Sequence, residues 1–343
     1  MRRWMAAALS LMLVLAGCAK APAPAEETPP PVVEKPAEEK PVTMAEDVQA
    51  FFDSYVNTNE RPVAVMIDND DNNARPQAGL EEAYLIYEMV VEGGATRFMA
   101  LFRDAETKKI GPVRSSRHYF LDYALENDVI YTHFGYSPKA LSDIPALGVK
   151  NINGVEGSDS GIFWRDTTYT RDWHSAFTSM EKIKARAEQK KYALETEHKN
   201  AIQYAAKYFT PASDKKAEKI TLKYSGRYTT GYTYDAEKQL YQKTIFGKPH
   251  KMQSGEVVAV KNIIVMLIGD TDLGDGSARR NINTTGSGKG YYITNGVCEE
   301  ITWSKSARGA NTEYKKADGT ALEINPGKTI INLISPAIGA VIE

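Results

Sequence analysis

The string Arg114-Ser115-Ser116-Arg117-His118 is the densest group of chemically able side chains in this 343-residue chain. Two guanidiniums flank two hydroxyls, and Tyr119, Phe120, Tyr123 and Ala124 follow at helical spacing, which predicts a helix over residues 115–127. A serine at such a start caps the first turn, leaving backbone N–H groups free to face an anion. Arginines beside a first turn oppose the helix dipole by about 0.3–1 kcal/mol each, so their presence calls for a negative partner. Two partners fit: a phosphate or carboxylate ligand bound by Arg114, Ser115, Ser116 and Arg117, or an internal acid among Asp68, Asp70, Glu88 and Glu92.

Other residues extend this chemistry. Asp68-Asn69-Asp70-Asp71-Asn72-Asn73 gathers oxygen ligands after an apolar run, where α/β proteins place their sites. Asp68 and Asp70 could hold Mg²⁺ or Ca²⁺, although the string lacks the glycine and closing acid of an EF-hand, and Asp and Asn also form turns. Arg97 follows Gly93-Gly94. A two-residue hairpin at that pair sets Arg97 opposite Val90, on the face of Glu88 and Glu92, and so in a cross-strand charge pair. His133 and His174 are the histidines placed for acid–base work, yet no Ser/His/Asp order and no zinc spacing surrounds them. Phe163, Trp164, Tyr169 and Trp173 surround Arg165 and Arg171, a composition suited to a sugar- or peptide-binding loop and equally to a core.

The elements that must position these residues are legible in outline. Apolar runs predict strands over 62–67, 84–91, 96–103 and 129–134, and Ser137-Pro138 opens a helix to about 147. The capping-box pattern from Thr178 to Glu181 opens another to about 191. After residue 215 almost every segment reads as strand. The expectation is an α+β chain: an N-terminal α/β domain over 43–212 and a smaller, mainly-β C-terminal domain over 213–343.

Ahead of both lies an address. Arg2 and Arg3, an apolar run over 5–15, and Leu15-Ala16-Gly17 before Cys18 form a signal peptide over 1–17 of the lipoprotein kind, too short to span a bilayer. Cys18 then carries the lipid, such as palmitate. Residues 18–42 form a Pro- and Glu-rich linker, with seven prolines over 19–41. The other cysteine, Cys298, has no intrachain partner and fits a small buried hydrophobe. A net charge of −2 with no concentrated basic run excludes nucleic acid as the expected partner.

Several strings together resemble the YerB-like lipoprotein family: RPVAVMIDND at 61–70, ARPQAGL at 74–80, VEGGATR at 91–97, IGPVRSSR at 110–117, FWRD at 163–166 and RDWH at 171–174. The resemblance implies two domains and a lipid anchor, and it implies no activity. The expected role is therefore binding or accessory work in the cell envelope. The protein would be held to the membrane by its N-terminal lipid and would recognise a wall polymer or envelope protein through the arginine-bearing helix start. The outline also resembles envelope phosphotransferase domains, which keeps a metal-assisted phosphoryl-transfer or hydrolytic enzyme as the alternative.

Overall fold

The computed structural model describes residues 45–343 except 71–72, 104–105 and 170–171. The signal peptide, Cys18 and the linker to residue 42 lie outside the described residues, as does Arg171. Among the described residues, no helix is long and apolar enough to cross a membrane.

Apolar, β-branched-rich runs build a ten-stranded sheet that takes strands from both halves of the chain. Its N-terminal members are β1 (Val63–Asn69), β2 (Leu85–Val90), β3 (Thr96–Phe102), β4 (Ile130–His133) and β5 (Asn151–Asn153). The C-terminal half first supplies a second sheet from β6 (Lys219–Lys223), β7 (Thr229–Asp235) and β8 (Leu240–Ile245). It then returns to the large sheet with β9 (Asn262–Leu267), β10 (Gly286–Thr294), β11 (Val297–Lys305), β12 (Glu313–Lys316) and β13 (Thr329–Ile334). The large sheet runs β12-β11-β10-β9-β13-β2-β3-β1-β4-β5. β13 pairs in parallel with both β9 and β2, so the two halves are joined by continuous backbone hydrogen bonding. The α+β expectation holds, and among the described residues the α-helices all precede the second sheet: α1 (Glu46–Phe51), α2 (Phe120–Glu126), α3 (Pro138–Ala146) and α4 (Met180–Gln189). Ser137 caps α3 as expected, accepting from the Ala140 amide; α4 is capped by Ser179, one residue beyond the Thr178 of the sequence pattern.

The second sheet lies against one face of the large one, and the contact is polar at its centre. Glu88 of β2 and Lys243 of β8 are both fully buried and meet at 2.7 Å. Lys243 also donates to Thr230, while Glu88 accepts from Thr96 at 2.9 Å and from Asn69 at 3.2 Å. Tyr224 and Tyr232 donate to the Asn332 side chain of β13 at 3.0 and 2.9 Å. Burial pulls the Lys243 ammonium below its ordinary pKa, with Glu88 opposing that shift. A second buried pair, Glu126 with Lys305, fastens α2 to β11.

Cutting one half of the Glu88–Lys243 pair leaves a lone charge in the interior, which costs about 3–5 kcal/mol. Lys243→Met is therefore expected to lower the urea midpoint sharply. Adding Glu88→Gln to it should recover part of the loss. A Lys243→Met variant as stable as the parent would show that the pair carries no such constraint.

Candidate functional site

β1 ends in Asp68 and Asn69, whose side chains leave opposite faces of the sheet. Asp68 stands directly across from Arg97 of β3, and Asn69 across from Thr96. This register corrects the expected hairpin. Val91 N–H donates to Ala95 O at 2.8 Å, which closes a three-residue turn over Glu92–Gly94 with left-handed Gly93 and Gly94. One residue more in the turn shifts the register by one, so Arg97 faces Met89, while Thr96 faces Val90. Arg97 thus leaves the face of Glu88 and joins Asp68.

The segment carrying Arg114 to Arg117 is extended. The amides of Asp68 and Arg114 bond Pro112 O and Met66 O at 2.8 and 2.9 Å, and Ser116 and Phe134 bond Gly135 O and Arg114 O at 2.9 and 3.0 Å. Those backbone bonds bind it between β1 and the chain after β4, and α2 begins only at Phe120, with no side-chain cap. The expected arginine-bearing helix start is therefore absent, and the dipole argument falls with it. Ser115 Oγ donates to Phe134 O at 3.1 Å, and buried Ser116 accepts from Tyr131 at 2.9 Å; neither caps a helix.

The side chains of this segment converge on Asp68. Arg114 Nε lies 2.8 Å from Asp68 Oδ2, an ion contact too poorly aligned for a hydrogen bond. His174 Nδ1 lies 2.7 Å from the same oxygen, and the Asp70 amide donates to Oδ1 at 3.1 Å. Burial alone would raise the Asp68 pKa, but the His174 hydrogen bond and the charges of Arg114 and Arg97 outweigh it and hold the carboxyl below its ordinary value. As a carboxylate, Asp68 accepts the Nδ1 proton and leaves Nε2 as the free nitrogen of His174. Arg117 grips Glu92 with two bonds of 2.5 and 2.8 Å. Arg97 is buried, donates Nη1 to Ser115 O at 2.7 Å, and has an Nε without a partner. Burial and the neighbouring Arg117 and Arg114 pull its pKa down to about 10.

Sequence reasoning named all of these residues without joining His174 to Asp68. Nothing local signals a pair separated by 106 positions. Around them, Arg114 keeps 21% of its side-chain surface and Trp173 keeps 68% of its own, while Tyr169 is also exposed. Arg165 lies 4.8 Å over the Phe134 ring, so part of the aromatic loop packs inward. Both Asp68 oxygens are engaged, Asp70 lies 3.9 Å from exposed Arg227, and no group of three His, Cys, Asp or Glu among the described residues is placed to hold a metal. His133 is buried with Nδ1 2.7 Å from Gly135 O, and burial pulls its pKa down to about 4, which keeps it neutral. Cys298 is free and buried, as its alternating segment implied.

Comparison with known proteins places this geometry in a family. Residues 53–193 match the model described as "Protein of unknown function (DUF3048) N-terminal domain", and residues 220–331 match the corresponding C-terminal domain. The chain belongs to the DUF3048 family. It is 33% identical over 281 residues to "Putative lipoprotein YerB" of Bacillus subtilis (strain 168), covering 81% of this chain and 82% of that one. The crystal structure of YerB from Bacillus subtilis superposes with a TM-score of 0.73 at 30% identity, covering 88% of this chain and 97% of the other. The two-domain α+β architecture is thus that of the family, and the arginine–aspartate cluster lies within its N-terminal domain.

Asp68→Asn takes away the carboxylate that faces Arg97, Arg114 and His174, and stranding a buried guanidinium costs about 3–5 kcal/mol. Arg114→Ala, at a partly exposed position, is expected to cost about 1–2 kcal/mol. Urea midpoints at pH 7 separate the two; equal losses would show that the cluster is not centred on Asp68. Because the folded pKa of Asp68 is depressed, its contribution is complete above the unfolded carboxyl pKa of about 3.9. It is lost as the pH falls through the lower folded value, and Asp68→Asn should flatten that acid limb.

Proposed function

We propose that this protein is a lipid-anchored component of the cell envelope, held by Cys18, that binds an anionic ligand on the face carrying Arg114. The observation behind this reading is a charge count. Among the described residues, Arg97, Arg114 and Arg117 meet the carboxylates of Asp68 and Glu92 alone, which leaves one cationic charge in excess in a largely buried cluster. Buried charges are ordinarily matched, and an anion at Arg114 would complete the set. The exposed Trp173 beside His174 adds an apolar surface for a sugar or peptide. A wall polymer or an acidic segment of an envelope protein has the required chemistry.

The Asp68–His174 contact favours one further reading of the same site. With Nδ1 held by Asp68, Nε2 of His174 is oriented for proton transfer to a bound phosphoryl or acyl group. Hydrolysis or phosphoryl transfer would then follow binding.

Retention of the full-length protein on purified peptidoglycan, teichoic acid and lipid-linked precursors tests the binding role. Arg114→Ala/Arg117→Ala is expected to lose retention at least tenfold, and added salt should weaken the parent protein. Equal retention by both proteins would remove the arginines from the site. Turnover of a retained ligand that disappears in His174→Ala, with binding preserved, would carry the enzymatic reading.

The anchor has its own test. Cys18→Ser should abolish incorporation of a clickable palmitate analogue and move the protein from the membrane fraction to the soluble one. Label retained in that variant would sink the assignment.

A further inference from the structure

The hairpin that ends β8 carries an unusual residue. Ile245 pairs with Lys248, so Phe246 and Gly247 form a two-residue turn, with φ of 51° and 75°. Such turns take Asn-Gly or Asp-Gly, because both positions are left-handed. A phenylalanine there is strained, on the order of 1 kcal/mol, and the residue is 47% exposed. One edge of the ring meets buried Tyr228, with centroids 5.1 Å apart, yet about half of the residue stays exposed at a position that asparagine would occupy without strain.

Phe246 lines a cavity of about 500 Å³ with Arg75, Lys248, His250 and Lys251, and no acidic side chain among the described residues lines it. Arg75 lies 5.6 Å over the Phe246 ring. Its Nη1 reaches only neutral oxygens, Asn69 O at 3.3 Å, Asn69 Oδ1 at 3.4 Å and Tyr228 OH at 3.3 Å, and it forms no ion pair among the described residues. His250 is buried. Gln77 spends its amide nitrogen on Asp68 O and Asn69 Oδ1 at 2.9 and 3.1 Å, which turns its oxygen toward His250 Nε2 at 2.8 Å. Nε2 must therefore carry the proton. Nδ1 keeps a lone pair and is buried without a partner among the described residues, an unmet acceptor of a kind native structures rarely leave.

We infer that this cavity is a second binding site, separate from the Arg114 face, for an anionic saccharide: a sugar ring bearing phosphate or carboxylate. Arg75, Lys248 and Lys251 take the anion, the Phe246 ring takes the apolar face of the sugar, and His250 Nδ1 accepts a hydroxyl. The unmet nitrogen of His250 lies buried beneath the lysines, so a group that inserts meets it where a flat lipid surface would not, which favours a small ring.

Calorimetry on the full-length protein in non-ionic detergent tests this with N-acetylglucosamine 1-phosphate, glucuronate, N-acetylglucosamine and inorganic phosphate. At least one of the two sugar anions should bind tenfold or more tighter than the neutral sugar and inorganic phosphate. The exposed-site variant Lys248→Glu/Lys251→Glu should lose that affinity tenfold or more with its melting temperature unchanged. Phe246→Asn should leave the melting temperature nearly unchanged, because relief of the turn strain offsets the lost ring contact with Tyr228, while weakening the sugar anion. Lost binding at unchanged stability is a result that a purely structural residue would not give. The assignment is overturned if inorganic phosphate binds as well as the sugar anions, if both variants bind like the parent, or if Arg114→Ala alone abolishes binding. Attachment to phosphatidylglycerol vesicles without any sugar-anion binding would likewise overturn it, in favour of a membrane surface.

Discussion

The fully buried contact between Glu88 and Lys243 is the constraint around which this molecule is organised. A carboxylate and an ammonium taken out of water are each costly, and only close approach with further hydrogen bonds makes the pair tolerable. Here the supporting bonds come from Asn69, Thr96 and Thr230, so one ion pair enlists β1, β2, β3, β7 and β8 together. An apolar contact between the two sheets would tolerate sliding. A buried pair with directional partners admits one seating of the small sheet on the large one, and it thereby positions the Phe246 turn at the end of β8.

The same seating couples the two charged regions through the last two residues of β1. Strand alternation sends Asp68 to the arginine cluster and Asn69 to the Glu88 network. Gln77 bridges them, bonding the Asp68 carbonyl and the Asn69 side chain while presenting its oxygen to His250. Arg75 bonds the Asn69 carbonyl from the other side. The two charged regions thus share a strand end two residues long.

How much of this the chain announces depends on how local each signal is. Val63 to Ile67 reads as a buried strand because its run of apolar residues is contiguous, and Ser137-Pro138 marks α3 because capping is a matter of three or four neighbours. The family strings were equally plain. What stayed hidden was set by distant bonds or by a single residue of loop length. Gly93-Gly94 suggests a two-residue turn, and only the Val91–Ala95 bond makes it three, which moves Arg97 from Glu88 to Asp68. Tyr119 to Ala124 has helical spacing, but the backbone of Arg114 and Ser116 is already committed to β1 and to the chain after β4, so α2 starts late. The Glu88–Lys243 pair spans 155 positions, and no local pattern distinguishes Lys243 from a solvated lysine on an alternating strand.

In the arginine cluster, the way each guanidinium is held decides which sign of charge the proposed site would accept. Arg117 is satisfied by Glu92 in a two-pronged contact, and Arg97 is sealed beneath Ser115. That leaves Arg114 as the guanidinium with both a free surface and an imperfect internal contact. An arriving anion competes with Asp68 for one side of Arg114 but leaves Asp68 its bond to His174, so it strands no carboxylate. A cation finds no such opening, because both Asp68 oxygens are already engaged by donors. The asymmetry is built into bond counts: among the described residues the cluster has one guanidinium to spare and no carboxylate to spare, which is the basis of the proposed preference for negative charge.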